Sequence, residues 1–267
     1  MALSLAGRRA LLTGASGGLG CAIARELHRR GASVVASGRR QDALEELRSE
    51  LGNRVEVVVS DLDDAGGPRE LAERAGRVDV LVANAGLPAS GRVDSFTPEE
   101  IDRAMAVNLR APMQLARALG PQMAARGEGH LVFVSSFSGK VATGGSAVYS
   151  ATKFGLRGFA LGLRDDLRAS GVGVTTIFPG FISEVGMFAD AGVGLPPGIA
   201  LRSPEQVGQA VVRGIERDRA EVDVAPFILR AGAWVAGTAP ALVAAINRRA
   251  GSERITEALA EAQRDKR

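Results

Sequence analysis

The sequence predicts one doubly wound α/β domain, in which helices cover both faces of a parallel sheet of about seven strands. Seven short runs rich in β-branched residues alternate with longer helical patterns, from "RRALLTG" near the N-terminus to "EVDVA" at 221–225. Strands that alternate with helices are typical of βαβ units with right-handed crossovers. No interior linker divides the 267 residues, a length that fits one large domain or at most two small ones.

The predicted elements follow one another in a regular order. The strands are "RRALLTG", "GASVVAS", "RVEVVVSD", "VDVLVANAG", "GHLVFVSS", "GVGVTTIFPG" and "EVDVA". Helices are predicted at 21–30 and 42–51. Two more are predicted to begin at Thr97 and Ser203, because each of these capping residues is followed by proline and glutamate.

Two segments depart from this alternation of strands and helices. Residues 181–202 carry four glycines and two prolines among apolar side chains. A loop of this length inside a compact domain is usually a functional lid or disordered, and we interpret it as a substrate lid of a domain spanning 1–225. Residues 226–267 are apolar first and then charged, and we expect them to form a C-terminal helical extension.

Composition excludes several classes of function. The net charge of +3 comes from 33 Lys and Arg interleaved with 30 Asp and Glu, so no basic stripe indicates nucleic-acid binding. The single cysteine, Cys21, excludes an internal disulfide and a multi-cysteine metal site, and we predict no metal. A reducing cytoplasm suits such a chain. The N-terminus has no basic region before its apolar run, so it does not resemble a signal peptide.

A membrane span is not predicted either. The longest apolar stretch, 231–246, is short for a crossing and contains Pro240. Arg230 precedes it and Arg248 and Arg249 follow it. Peripheral contact with a membrane through the C-terminal extension remains an alternative.

A glycine-rich turn links the first predicted strand to the first helix. "LLTGASGGLG" places Gly14, Gly17, Gly18 and Gly20 there. Glycines let a backbone approach a pyrophosphate closely, and the helix N-terminus offers free N–H groups. The spacing differs from the usual G-x-G-x-x-G, so the turn alone also fits a merely tight βα connection. We predict cofactor contacts from Gly14, Ser16, Gly18, Leu19 and Gly20.

The end of the second strand indicates which dinucleotide binds. Sites for NAD tend to place an acid there to bond the ribose hydroxyl, but this stretch reads Ser37-Gly38-Arg39-Arg40. A guanidinium can hold a 2′-phosphate with two hydrogen bonds, so Arg39 and Arg40 favour NADP(H) over NAD(H). The alternative is that both arginines merely start a solvated helix.

A candidate proton-transfer pair lies in "AVYSATKFG". Tyr149 is the only tyrosine, and Lys153 follows four residues later, on the same helical face. A free phenol has a pKa of about 10, and a nearby ammonium should lower it. Tyr149 could then exchange a proton with a carbonyl or alcohol oxygen. Ser136 ends the strand "HLVFVSS" 13 residues upstream, where α/β folds place ligand-binding groups.

With these motifs in order, the chain resembles the short-chain dehydrogenase/reductase family over about residues 5–225. The resemblance rests on "TGASGGLG", "DL" at Asp61-Leu62, "NAG" at 84–86, "VNL" at 107–109, Ser136, "YSATK" and "PG" at 179–180. It implies a Rossmann-like fold and an NAD(P)-dependent oxidoreductase of the NADP-preferring kind.

The resemblance also implies roles for particular residues. Tyr149 is the acid or base, Lys153 lowers its pKa and holds the nicotinamide ribose, Ser136 polarises the substrate oxygen, and Asn108 supports a relay water. Further cofactor contacts are implied for Asp61, Leu62, Asn84, Ala85, Gly86, Pro179, Gly180 and Ile182. Many members carry a threonine soon after "PG". Here Glu184 takes that place and Ser183 stands one position early, so the carboxamide is held differently or through Ser183.

The expected reaction moves a hydride between nicotinamide and a ketone or secondary alcohol. The sequence around Ser136 and Tyr149 is similar to that of hydroxysteroid dehydrogenases and lipid ketoreductases. The tail after Ala225, which extends beyond the family core, and the apolar lid together suggest a hydrophobic substrate: a 3-oxoacyl group, a steroid-like alcohol or a lipid ketone. The lid could equally pack on the protein's own core or on a subunit interface. By analogy we expect a homodimer or homotetramer. The alternative function is a catalytically silent nucleotide-binding regulator or scaffold with the same fold.

Overall fold

A computed structural model describes residues 2–184, 200–249 and 252–264. Its sheet has seven strands, all parallel, in the order β3-β2-β1-β4-β5-β6-β7. The strands are β1 (Arg9–Thr13), β2 (Ser33–Gly38), β3 (Val55–Val59), β4 (Val80–Ala83), β5 (Gly129–Val134), β6 (Val172–Pro179) and β7 (Glu221–Val224). The predicted doubly wound fold, with its seven strands, is confirmed.

Helices connect the strands and cover both faces of the sheet. They are α1 (Gly18–Arg29), α2 (Gln41–Leu51), α3 (Gly67–Ala75), α4 (Pro98–Met105), α5 (Ala111–Arg126), α6 (Ala147–Asp166) and α7 (Pro204–Glu216). Both predicted helix starts carry a complete capping box, from Thr97 with Glu100 and from Ser203 with Gln206. α1 begins three residues earlier than predicted, because Gly17 rather than a later residue is its N-cap.

Alternation along the strands divides the core into two layers. In β1, Ala10 and Leu12 pack with α1, α2 and α7 on one face, while Leu11 packs with α3, α5 and α6 on the other. Successive side chains of a strand point to opposite faces, so a strand that is covered on both sides is apolar at most of its positions. β1, β2 and β4 to β6 follow this pattern, which is why they were readable from sequence.

The strand order reverses between β1 and β4. β1 pairs with β2 on one side and with β4 on the other. At such a switch point the loops after neighbouring strands diverge, and a crevice opens outside their carboxyl ends. This edge collects the residues that follow Thr13, Gly38, Val59, Ala83, Val134 and Pro179.

The chain after β7 forms three further helices. They are α8 (Phe227–Thr238), α9 (Pro240–Arg249) and α10 (Ser252–Ala262). Among the residues described, none of the helices combines the length and apolar character that a bilayer crossing needs. Most of the predicted lid, 185–199, lies outside the described residues. Its described ends are hydrogen-bonded to each other, from the Ser183 N–H to the Arg202 carbonyl at 2.9 Å and from the Arg202 N–H to the Phe181 carbonyl at 3.0 Å.

Candidate active site

The glycine turn after β1 is too tightly packed to accept side chains at two of its positions. Gly14 has φ +67°, and a Cβ there would lie 2.8 Å from Ala85 Cα. A Cβ on Gly20 would lie 2.1 Å from the Gly14 carbonyl oxygen. By contrast, a Cβ on Gly17 would meet that oxygen only at 3.5 Å. Gly14 and Gly20 therefore let the start of α1 pack directly against the end of β1.

The N-terminus of α1 has no side-chain cap. Its N-cap, Gly17, has no side chain to accept a hydrogen bond, and its first turn contains no acid. The first N–H groups of a helix lack partners within the helix and carry the positive end of its dipole. Ser16, Gly18 and Leu19 lie in this turn. The donor set fits an anionic group such as a pyrophosphate.

Asn84 fastens the end of β4 to this turn. Its Nδ2 donates to the carbonyls of Thr13 at 3.0 Å and Gly14 at 3.3 Å. The Thr13 hydroxyl oxygen accepts from the backbone N–H groups of Asn84 and Ala85, both at 3.1 Å. The "NAG" segment, which Gly86 completes, therefore fixes the shape of the turn.

The two arginines after β2 lie at the same edge of the sheet. Arg39 and Arg40 are both exposed. The Arg40 guanidinium donates to the Ser16 carbonyl, which ties it to the glycine turn. A Cβ on Gly38 would lie 2.8 Å from Ser16 Oγ, so this strand end also packs closely on the turn. The cationic groups flank the place where the helix dipole would hold a pyrophosphate.

The remaining predicted cofactor residues follow β3 and β6. Asp61 is exposed and its Oδ1 accepts from the Asp63 N–H at 3.1 Å, whereas Leu62 is buried. Pro179 ends β6, and the Gly180 N–H donates to the Val224 carbonyl at 3.0 Å. Ile182 is buried and pairs with Arg202. These positions also lie at the carboxyl edge of the sheet.

Ser183, the candidate replacement for the threonine, already has a partner. Its Oγ donates to the Arg202 carbonyl at 3.3 Å. Glu184 has φ +66°, a left-handed conformation that is uncommon for a residue other than glycine.

Tyr149 and Ser136 meet across the crevice. Tyr149 lies in the first turn of α6, and Ser136 follows β5 and caps a short 3₁₀ turn, with Ser136 Oγ accepting from the Ser138 N–H at 3.2 Å. The Ser136 hydroxyl lies close enough to the Tyr149 side chain to lower the pKa of the phenol. The phenol packs beside a small apolar cluster of Ala89, Ala104 and Val148.

Lys153 is buried one turn further along α6. Only 3% of the residue is exposed, and its Nζ donates to the Val134 carbonyl at 3.2 Å. Nζ lies 5.6 Å from the centroid of the Tyr149 ring. Burial disfavours the ammonium and lowers the pKa of Lys153 to about 8.

The phenol has a raised pKa, whereas the sequence argument expected a lowered one. Burial raises the pKa of Tyr149 to about 12, and the Ser136 hydroxyl opposes this shift. The i, i+4 spacing indicates only the charge of the lysine and not the burial of either group. In the folded chain desolvation acts on both groups and is the larger effect.

Asn108 occupies a π-helical turn at 106–110, between α4 and α5. The side chain is fully buried. Its Oδ1 accepts from the Leu87 N–H at 2.7 Å, and its Nδ2 donates to the Leu87 carbonyl at 2.9 Å. Single π-turns inside helices are frequent at functional sites. Here the turn directs an amide at the segment that follows β4.

A charged cluster around Lys140, four residues after Ser136, was not predicted from the sequence. Lys140 Nζ lies 2.6 Å from Asp223 Oδ1 and 3.0 Å from Glu221 Oε2, and 4.1 Å from the centroid of the Phe178 ring. Arg157 of α6 also pairs with Glu221, at 2.6 Å. Burial raises the pKa of Glu221, but hydrogen bonds from Arg157 and Lys140 lower it by more and hold it below its usual value. The cluster joins the Ser136 segment and α6 to β7.

Among the described residues, no group of three or more His, Cys, Asp or Glu side chains could hold a metal ion. The groups that the structure places at this edge are a phenol, an amine, a hydroxyl and an uncapped helix N-terminus.

Comparison with known proteins agrees with this geometry. The sequence model of the short chain dehydrogenase family matches residues 8–192. The chain belongs to the short-chain dehydrogenase/reductase family. A relative from Nostoc sp. named ketoacyl reductase HetN is 35% identical over 228 residues, covering 83% of this chain and 79% of that protein.

Two solved short-chain dehydrogenases share the fold. A metagenomic short-chain oxidoreductase in complex with NADP has a TM-score of 0.71 and 33% identity, and the match covers 84% of this chain and 99% of that one. A short-chain dehydrogenase from Sphingobium yanoikuyae in complex with NADPH has a TM-score of 0.77 and 27% identity, over 88% and 94% of the two chains. The prediction of an NAD(P)-dependent oxidoreductase of this family is confirmed.

Proposed function

We propose that this protein is an NADP(H)-dependent oxidoreductase that interconverts a hydrophobic ketone and its secondary alcohol. The observation that carries the proposal is the meeting of Ser136, Tyr149 and Lys153 at the same carboxyl edge of the sheet where the uncapped helix α1 begins. A phosphate cradle and a proton-donating phenol at one sheet edge suit hydride transfer coupled to proton transfer.

Residues of the chain would hold the cofactor and handle the proton. The glycine turn and the α1 N-terminus would bind the pyrophosphate, Arg39 and Arg40 the 2′-phosphate, and Lys153 the nicotinamide ribose. NADPH supplies the hydride for the carbonyl carbon when it is bound. Ser136 would polarise the carbonyl oxygen, and Tyr149 Oη would donate its proton to that oxygen as the alcohol forms. In the oxidation direction Tyr149 would accept the same proton.

Two observations favour an apolar substrate. The Tyr149 ring packs against the apolar cluster of Ala89, Ala104 and Val148, so the space beside the reacting hydroxyl has an apolar wall. The Nostoc relative is named a ketoacyl reductase. A 3-oxoacyl thioester is therefore the first substrate to test, followed by steroid and aromatic ketones.

The decisive experiment measures NADPH oxidation at 340 nm across these ketones. Tyr149→Phe keeps the ring and removes the proton, so kcat should fall by at least about 100-fold. Ser136→Ala should also lower kcat, and Ser138→Ala, which removes a hydroxyl two residues away, is its matched control. Turnover by Tyr149→Phe at the wild-type rate would refute the mechanism. NADPH binding without turnover of any ketone or alcohol would favour the silent nucleotide-binding alternative.

The cofactor preference has its own test. Arg39→Asp should weaken NADPH binding by about 10- to 100-fold, because a charge-assisted hydrogen bond becomes a repulsion. NADH binding should change much less. Arg48→Asp makes the same charge change further along α2 and should leave both affinities unaltered. If Arg39→Asp affected NADPH and NADH equally, the assignment of Arg39 to the 2′-phosphate would be wrong.

A further inference from the structure

Helices α8 and α9 present large apolar side chains to solvent. The exposed fractions are 80% for Phe227, 65% for Ile228, 77% for Trp234, 55% for Leu242 and 53% for Ile246. An isolated exposed leucine is ordinary, but five large exposed side chains on two consecutive helices are more than scattered exposure explains. We call these five residues the apolar face.

The two helices are apolar on their inner sides as well. Leu229 and Val235 of α8 are partly buried, and Val243 of α9 is 9% exposed. A helix that is apolar all round is normally covered on every side. In the described structure the inner side is covered and the apolar face is not.

Charge distinguishes among the partners that could cover this face. Residues 227–249 contain three arginines and no aspartate, glutamate or lysine. Arg230 is near Asp223, with Nε 3.8 Å from Oδ2, and Arg248 and Arg249 are exposed in the last turn of α9. The two helices are thus apolar and cationic, with aromatic side chains on α8.

This combination is what an anionic lipid surface recognises. Interfacial helices place Trp, Phe and Leu at the boundary of the acyl chains and keep Arg or Lys at headgroup level. Negative lipids attract each basic side chain near the surface. Contact by a second copy of the same face fits less well, because a twofold axis would bring arginines of both copies together with no acid from 227–249 to pair with them.

We propose that helices α8 and α9 bind the surface of an anionic lipid membrane through the apolar face, with Arg248 and Arg249 at the headgroups. The helices lie on the surface and do not cross the bilayer. α8 begins three residues after β7 ends, so the bound surface adjoins the sheet edge that carries Tyr149. This inference does not depend on the proposed reaction.

The chain provides its own reporter for a test. Trp234 is the only tryptophan and belongs to the apolar face. With vesicles of equimolar phosphatidylcholine and phosphatidylglycerol, its emission should shift to shorter wavelength and the full-length protein should co-sediment. With pure phosphatidylcholine, binding should be at least about tenfold weaker.

Matched variants separate the contribution of apolar contact from that of charge. Ile228→Ser should reduce binding to anionic vesicles about tenfold, whereas Val93→Ser, at a residue 61% exposed elsewhere, should not. The double variant Arg248→Gln with Arg249→Gln should weaken binding about fivefold for each arginine. The double variant Arg117→Gln with Arg168→Gln removes the same charge elsewhere and should bind like wild type. Retained NADPH binding in each variant controls for folding.

Three results would overturn the proposal. One is the absence of co-sedimentation with anionic vesicles, and a second is equal loss of binding in Ile228→Ser and Val93→Ser. The third has two parts, both without vesicles. The Trp234 emission shifts as the protein concentration rises, and sedimentation shows a larger species that is absent in Ile228→Ser. That outcome would assign the face to a contact between two copies of the chain.

Discussion

Replacing Asn108 with alanine tests whether the π-turn holds the segment after β4. The side chain makes two hydrogen bonds to one backbone unit, accepting from the Leu87 N–H at 2.7 Å and donating to the Leu87 carbonyl at 2.9 Å. Both Asn108 and Leu87 are buried, so Asn108→Ala leaves a donor and an acceptor without partners. Each unpaired buried group costs about 1–3 kcal/mol. We expect the free energy of unfolding to fall by about 2–4 kcal/mol, since water can enter the space and offset part of the loss.

The assay is urea unfolding followed by circular dichroism, because Trp234 is exposed and reports poorly on the core. Asn108→Asp should cost at least as much as Asn108→Ala, because a carboxylate can accept from the Leu87 N–H but meets the Leu87 carbonyl with repulsion. Asn53→Ala, at an exposed position, is the control and should change stability by less than about 0.5 kcal/mol. A loss below about 1 kcal/mol in Asn108→Ala would refute the assignment of these two bonds as a structural tie.

Two further predictions concern burial and close packing. Burial lowers the pKa of His130 to about 3, so this histidine stays neutral in the folded chain while the unfolded chain takes up a proton below about pH 6.5. Stability contributed by His130 is complete above that pH and declines as pH falls, by about 2 kcal/mol between pH 7 and pH 5. Urea unfolding at pH 7 and pH 5 should show this decrease in the free energy of unfolding for wild type, and the decrease should be smaller by about 2 kcal/mol for His130→Leu. An equal dependence on pH in both proteins would contradict the reasoning. Gly20→Ala places a methyl group 2.1 Å from the Gly14 carbonyl oxygen and should lower NADPH affinity at least tenfold, about 1.4 kcal/mol. The control, Gly17→Ala, should be tolerated by the turn. Equal NADPH affinities of the two variants in isothermal titration would contradict this prediction.

The strands and their order along the chain were predictable because each central strand is buried on both faces. β5 and β6 are buried at every residue, and a parallel strand that is buried on both faces is apolar at most of its positions. Helix starts at Thr97 and Ser203 were predictable because capping depends on side chains only three residues apart. These features depend on local sequence.

Features that depend on distant contacts were not predictable. The π-turn at Asn108 is held by a backbone unit 21 residues away. The Lys140 cluster joins residues 81 and 83 positions apart, from Lys140 to Glu221 and Asp223. No local pattern signals either pairing. The partner of Ser183, the Arg202 carbonyl, lies on the far side of the predicted lid and was equally hidden.

The protonation of the candidate pair shows most clearly why burial must be known before chemistry is assigned. Spacing alone places a lysine near a phenol and suggests a lowered phenol pKa. In the structure Lys153 is buried and Tyr149 is partly buried, and both pKa values shift towards the neutral form, Tyr149 to about 12 and Lys153 to about 8. A phenol with this pKa keeps its proton throughout the neutral range. For carbonyl reduction, the proton that the product alcohol needs would therefore already be on Tyr149. Oxidation of the alcohol would require Tyr149 as a phenolate in the same position. Ser136 stabilises that phenolate, whereas desolvation destabilises it.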